Sequence, residues 1–216
     1  MIKNRLEKQK EIVSTIKSRI QEINFRYRNG PDIHFYHRVL SFKRKIGDIG
    51  LLLKDQCYLD LLYATLVAWD MNARGARIKG FDDFKDSILK CSEFLKEMER
   101  FEMSGSLEFK ELSPLLKETY ECLHVMRSRS RLVSNSKLLH FMFPDLLMPM
   151  DRKNVLSYFY GNGGDSMRKY LEIIEFSMDI MKLPENWENY LDDGWNTSIP
   201  KMIDNAIILL VGRSLR

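Results

Sequence analysis

Residues 57–71 read CYLDLLYATLVAWDM. Apolar side chains occupy nearly every face of this stretch, and it is too long for an ordinary strand. It is therefore expected as a central, buried helix. Its flanks carry the same periodicity. Upstream, Ile12, Val13, Ile16, Ile20 and Ile23 recur at three- and four-residue spacing, which predicts one amphipathic helix over 3–28 ending near Asn29-Gly30. Gly30-Pro31 stops it, and a second helix is expected over 33–46, punctuated by Gly47 and Gly50. Downstream, Phe81, Phe84, Ile88, Cys91, Phe94, Leu95, Met98 and Phe101 mark one long helix. Ser104-Gly105-Ser106 breaks that pattern, and Ser113-Pro114 reads as an N-cap with proline at the first helical position, for a helix to Met126. Shorter helices are expected over 134–143 and 151–160, joined by a Pro144-to-Pro149 turn. Asp165 is expected to cap a helix to Met181, and Ser198 a last helix with Pro200 in its first turn. No stretch alternates with period two, so the chain is expected to be one all-α globular domain over 1–216, of about eight to ten helices. A lobe boundary, if there is one, falls near 103–113.

Composition narrows the function classes. With 44% hydrophobic residues and a formal net charge of +4, the chain is a globular one, not a disordered one. Its longest apolar run, Ala206 to Val211, is far short of the ~18 residues of a membrane span. Met1 to Lys10 is charged and lacks an apolar h-region, so no secretory signal is read there. Cys57, Cys91 and Cys122 are odd in number, far apart and without a Cys-x-x-Cys pair. This speaks against a disulfide framework and a structural zinc, and for buried thiols in a reducing, cytoplasmic location. Neither a metal nor a cofactor is expected: Gly161-Asn162-Gly163-Gly164 lacks the Gly-Lys-Ser/Thr ending of a nucleotide loop and reads as a helix C-cap and turn. His34 and His37 share a helix face with Asp32 but have no second ligand cluster, so they read as an aromatic pair.

Charge alternates in blocks. Lys and Arg dominate 1–50 and 123–170, whereas Asp and Glu dominate 81–122 and 171–216. If the two basic blocks meet in space, they form a surface suited to phosphates; otherwise they are ordinary solvated faces. Trp69 and Asp70, followed by Asn72, Arg74 and Arg77, put an aromatic ring, a carboxylate and guanidinium groups at one helix end. That is a candidate pocket for a phosphate or carboxylate, or simply a cationic helix terminus. The richest stretch is 127–160. Arg127, Arg129 and Arg131 alternate ahead of a helix start bearing Ser134, Asn135 and Ser136, where backbone N–H groups and positive charge favour an anion. Lys137 lies in the first turn, with His140 one turn on, and after Pro144-Asp145…Pro149 the carboxylate of Asp151 is placed as an N-cap.

The run Ser136-Lys137-Leu-Leu-His140…Pro144-Asp145-Leu…Pro149-Met-Asp151 resembles a segment of the helix-hairpin-helix DNA glycosylase superfamily, in particular its 8-oxoguanine DNA glycosylase-like members. Leu132, Val133, Ser134 and Asn135 occupy the positions of the hairpin's glycines. The resemblance implies a DNA-binding, base-excision protein in which Lys137 attacks C1′ of a damaged nucleoside and Asp151 supports the positive charge that develops. Arg127, Arg129, Arg131, Ser134, Asn135 and Ser136 would then contact nucleic acid. An amine with a lowered pKa beside a carboxylate is a competent nucleophile, and such enzymes take the base out of the stack. A reading from a different class stands beside this one: a helical interaction module that binds a protein partner, or a second copy, through the isoleucine face of its N-terminal helix. A third is a small-molecule enzyme built on Trp69, Asp70 and Arg74.

Overall fold

The structure, a computed structural model, describes residues 2–27, 30–71, 77–161, 163–164 and 166–212. Among these residues there is no strand. Twelve α-helices, a π-helical turn and a 3-10 turn make up an all-α fold, somewhat more finely divided than the periodicity predicts.

Helix α5 (Gln56–Ala68) is the centre. Asp55 caps it, its carboxylate accepting from Tyr58 N, and Tyr58, Leu59, Leu62 and Leu66 are buried along it. Helix α3 (Pro31–Ile46), with proline in its first turn, lies along α5, and α9 (Leu132–Met142) packs against both. α9 is buried on most of its faces, Val133 and Lys137 being its part-exposed positions, and Leu138, Leu139, Phe141 and Met142 are its apolar core positions.

The predicted N-terminal helix divides into α1 (Arg5–Arg19) and α2 (Glu22–Arg26), with the break at Ile20-Gln21. Ile12, Ile16, Ile20 and Ile23 nevertheless all enter the core. α1 packs on α12 (Ile199–Val211), so the isoleucine face proposed for a partner is covered by the chain's own last helix. The long helix expected from Phe81 also divides, into α6 (Phe81–Lys90) and α7 (Ser92–Ser104), hinged at Cys91. α8 spans Phe109–Cys122, so Ser113-Pro114 lies inside the helix and is not its start. α7 and α8 pack on each other across the 105–108 turn, where the lobe boundary was expected.

Cys91 and Cys122 are bonded as a disulfide, with Cα atoms 5.9 Å apart, and Cys57 is exposed. This corrects the expectation of three unpaired thiols. The pairing tethers the α6–α7 junction to the end of α8, and it removes the cysteine argument for a reducing location. Among the described residues no helix is long and apolar enough to cross a membrane.

α4 (Ile49–Leu52) starts where Ile49 N donates to both carboxylate oxygens of Glu99 at 2.9 Å. Lys43 bridges to Glu102 at 3.0 Å, and Glu102 accepts from Asp145 N, so α3, α7 and the Pro144-to-Pro149 turn are fixed together. After that turn come the π-helical turn Arg152–Leu156, α10 (Ser157–Tyr160) and α11 (Met167–Met181), capped by Ser166; the expected cap, Asp165, lies outside the described residues. Ser198 caps α12 and accepts from Lys201 N, as its sequence predicts.

Candidate functional site

The site is assembled where α5 ends. Asp70 N donates to Val67 O and Met71 N to Leu66 O, the double bond pattern of a Schellman ending, with Asp70 in the left-handed region at φ 63°. The Trp69 carbonyl is left for a side chain, and Lys137 Nζ, from the middle of α9, donates to it at 2.7 Å. The same ammonium lies 5.6 Å from the Trp69 ring centroid, within cation–π range.

Lys137 opens into a cavity of about 170 Å³ whose wall also includes Tyr27, Trp69, Trp195, Asp151 and Asp204. The indole N–H of Trp69 donates to Asp32 O and that of Trp195 to Tyr27 O, each at 3.2 Å, so both large rings are pinned. Asp151 is the N-cap of the π-helical turn, as its position in sequence predicts: its Oδ1 accepts from Asn154 N at 2.6 Å and Val155 N at 3.1 Å. α12 contributes a second cation. Lys201 Nζ donates to Asp204 Oδ2 at 2.6 Å and to Asn205 Oδ1 at 2.8 Å, 5.3 Å from the Trp69 ring centroid and 5.4 Å from that of Trp195.

Burial decides the charge states. It pulls the Lys137 amine down to about 8, against the upward pull of Asp151, Asp204 and Asp70 and with a small downward push from Lys201. Burial likewise raises the Asp204 carboxyl, opposed by Lys201 and assisted by Asp151. The cavity therefore holds an amine whose proton burial loosens, beside the buried Lys201–Asp204 pair.

A second depression, of about 590 Å³, shares Trp69, Asp70, Lys137, Asp151 and Asn154 with the cavity and continues past Ser128, Ser130, Arg152 and Lys153. Arg152 donates to Ser130 Oγ across it. The result is a cationic groove that leads into an aromatic pocket.

Lys137 and Asp151 thus line one cavity, and Trp69 and Asp70 belong to it as well. Arg127 and Arg129 are exposed near the groove, and Arg127 N donates to Arg77 O, which sets these two arginines side by side. Arg131 is not open to a ligand: it pairs with Glu121 at 3.1 Å, donates to the Tyr120 and Glu121 carbonyls and lies over the Tyr120 ring. Ser134, Asn135 and Ser136 are buried, and of the three Ser134 lines the groove, between Val133 and Lys137. Ser134 and Ser136 donate to Arg131 O and Val133 O, and Asn135 donates to the Tyr120 and Leu123 carbonyls. Ser136 Oγ also accepts from Met150 N, and so ties α9 to the turn before Asp151. Asn72 and Arg74 lie outside the described residues. His37 bonds to Gly194 O at 2.8 Å, a structural use of the ring.

Sequence reasoning passed over Lys201, Asp204 and Asn205. The signal was present: three polar residues at i, i+3 and i+4 on one face of the otherwise apolar IPKMIDNAIILLV. His140, expected in a candidate pocket, is instead fully buried and lines neither the cavity nor the groove. His140 Nδ1–H donates to Leu147 O at 2.7 Å, its Nε2 accepts from Tyr36 OH at 2.7 Å, and Tyr36 OH meets Thr197 Oγ1 at 2.8 Å. The Tyr36 ring stacks at 16° to Trp195, 6.4 Å between centroids.

Burial pushes His140 down to about 3, so it is neutral in the folded chain. Because its folded pKa is depressed, the unfolded chain binds more protons below pH 6.5, and this contribution is lost as pH falls. Between pH 7 and pH 5 it amounts to about 2 kcal/mol. Urea denaturation at the two pH values should show wild type losing about 2 kcal/mol more than His140→Gln, while the raised carboxyls of Glu102, Asp145 and Asp204 act oppositely and equally in both. Equal losses would exclude His140 as the source.

No protein-family model matches the chain, and neither a curated protein nor a solved structure is significantly similar to it.

Proposed function

We propose that the chain is a nucleic-acid-binding protein of the DNA glycosylase type, which holds a strand in the cationic groove and an extruded nucleoside in the aromatic cavity. The observation that carries this reading is the continuity of the two: one amine, Lys137, faces both the tryptophan-walled cavity and the groove bordered by Arg152 and Lys153. Arg127, Arg129, Arg152 and Lys153 supply the cationic border for phosphates, with no base specificity of their own. Trp69, Trp195 and Tyr27 offer flat apolar faces to a base removed from its stack.

In this reading the Lys137 lone pair forms a bond to C1′ as the glycosidic bond breaks. The base leaves with the bonding electrons and takes up a proton; the nitrogen then gives up a proton and its lone pair forms C1′=N as the C1′–O4′ bond breaks, O4′ keeping the bonding pair and taking up a proton, so that the sugar opens to an imine. Asp151, held by its N-cap bonds, stabilises the positive charge on the sugar. An amine at about 8 supplies a useful fraction of nucleophile at neutral pH.

Fluorescence anisotropy of a labelled duplex, intact or with one abasic-site analogue, tests the reading. Tighter binding to the abasic duplex is expected, weakening steeply with salt. Arg152→Ala and Lys153→Ala should each flatten the logarithmic salt slope by about one. Absence of binding to either duplex at low salt would refute the proposal.

A further inference from the structure

The left-handed position that closes α5 is normally a glycine's, because a side chain there crowds the following backbone. Here it is held by Asp70, and Asn4 is the only other non-glycine residue with positive φ among those described. The position is not a neutral one. Its two backbone bonds occupy the Leu66 and Val67 carbonyls, and the peptide joining Trp69 to Asp70 presents its oxygen to Lys137 Nζ at 2.7 Å. The Asp70 side chain lines both the cavity and the groove, at the rim they share.

From this geometry we infer that Asp70 is a positioning residue for Lys137: its left-handed turn aims the Trp69 carbonyl at the amine, and its carboxylate, on the rim shared by cavity and groove, is a counter-charge to that amine. The inference rests on the reading of Lys137 as the reactive group. A glycine would make the same turn without a charge, so the charge is what an aspartate adds. The charged groups that line the cavity with Lys137 are Asp32 on α3, Asp70 after α5, Asp151 at the head of the π-helical turn, and Asp204 and Lys201 on α12; Arg152 and Lys153 line the groove beside it. Asp70 is the exposed carboxylate among these, on the rim that the cavity and the groove share.

Acylation of the full chain with acetic anhydride across pH 6–10, with the Lys137 peptide followed by mass spectrometry, reads the amine directly and without DNA. Asp70→Asn tolerates the left-handed turn and removes the charge, and Asp70→Gly does the same without a side chain. Both should move the Lys137 labelling midpoint to lower pH, giving about threefold more free amine at pH 7, with other lysine peptides unchanged. Asp70→Gly should also melt higher than wild type, through relief of the left-handed side chain. Asp70→Val, whose branched side chain resists that turn, should release Lys137 from the Trp69 carbonyl and bring its labelling towards that of surface lysines. Wild-type midpoints in Asp70→Asn and Asp70→Gly would overturn the inference. A chain that shows these shifts but never joins covalently to abasic DNA would instead overturn the proposed function and leave the role of Asp70 standing.

Discussion

Lys201→Met is expected to destabilise the protein by about 3–5 kcal/mol, the usual result of breaking a buried ion pair from one side. The Lys201 and Asp204 side chains are 4% and 8% exposed, and their 2.6 Å contact lies under two tryptophan rings. Without the ammonium, the Asp204 carboxylate stays in a site where burial already raises its pKa, and it must take up a proton or draw water inward. Asn205 would lose its Lys201 donor but keep its own bonds to Trp195 O and Asn196 Oδ1, so the loss centres on Asp204. The double variant Lys201→Met with Asp204→Leu should recover most of the stability, because it removes both charges and fills the space with apolar atoms. Urea denaturation of the two single variants and the double variant measures this. A Lys201→Met protein within 1 kcal/mol of wild type would contradict the account of α12.

Lys137→Met should have the opposite profile: little or no loss of stability at neutral pH, and complete loss of covalent chemistry. The amine's folded pKa of about 8 lies below its ordinary value, so carrying its charge into the fold is unfavourable below pH 8 and ceases to be so as pH rises toward 10.5. Methionine keeps the stem and deletes the charge. Borohydride trapping on an abasic duplex should fall at least 100-fold in this variant, with salt-dependent binding retained because Arg152 and Lys153 are intact. In wild type, trapping should rise between pH 7 and pH 9 as the amine is freed. Undiminished trapping in Lys137→Met would remove this lysine from the chemistry.

The all-α fold was legible because its strongest signals are local. The apolar wrap of 57–71, the Ser198 cap and the Asp151 cap each depend on a few adjacent residues. The breaks at Ile20-Gln21 and Cys91 were not, because the buried side chains keep their three- and four-residue spacing through both, and no glycine or proline marks either one. Pro114 misled because proline is commonest at a helix start, and here α8 begins upstream at Phe109. The Cys91–Cys122 pairing depends on how α7 folds back on α8, which no spacing rule supplies.

Half of the site was legible for a similar reason. Lys137 and Asp151 belong to neighbouring elements joined by one turn, so a linear reading can bring them together. Lys201, Asp204 and Trp195 reach them only through tertiary packing, of the last helix on the first and on the π-helical turn that Asp151 caps. The phosphate role given to Ser134, Asn135 and Ser136 assumed an open helix start. α9 is instead a core helix, whose polar residues are used on its own backbone and its neighbours'.

The central claim is that Lys137, among all the amines of the chain, reacts with an opened sugar. Peptide mapping of the borohydride-reduced adduct between wild-type protein and an abasic duplex tests it most directly. The account predicts modification on the peptide that contains Lys137, with Lys201 unmodified in its ion pair. An adduct on Lys201, adducts scattered over surface lysines, or no adduct at all under conditions where the duplex is bound would contradict it.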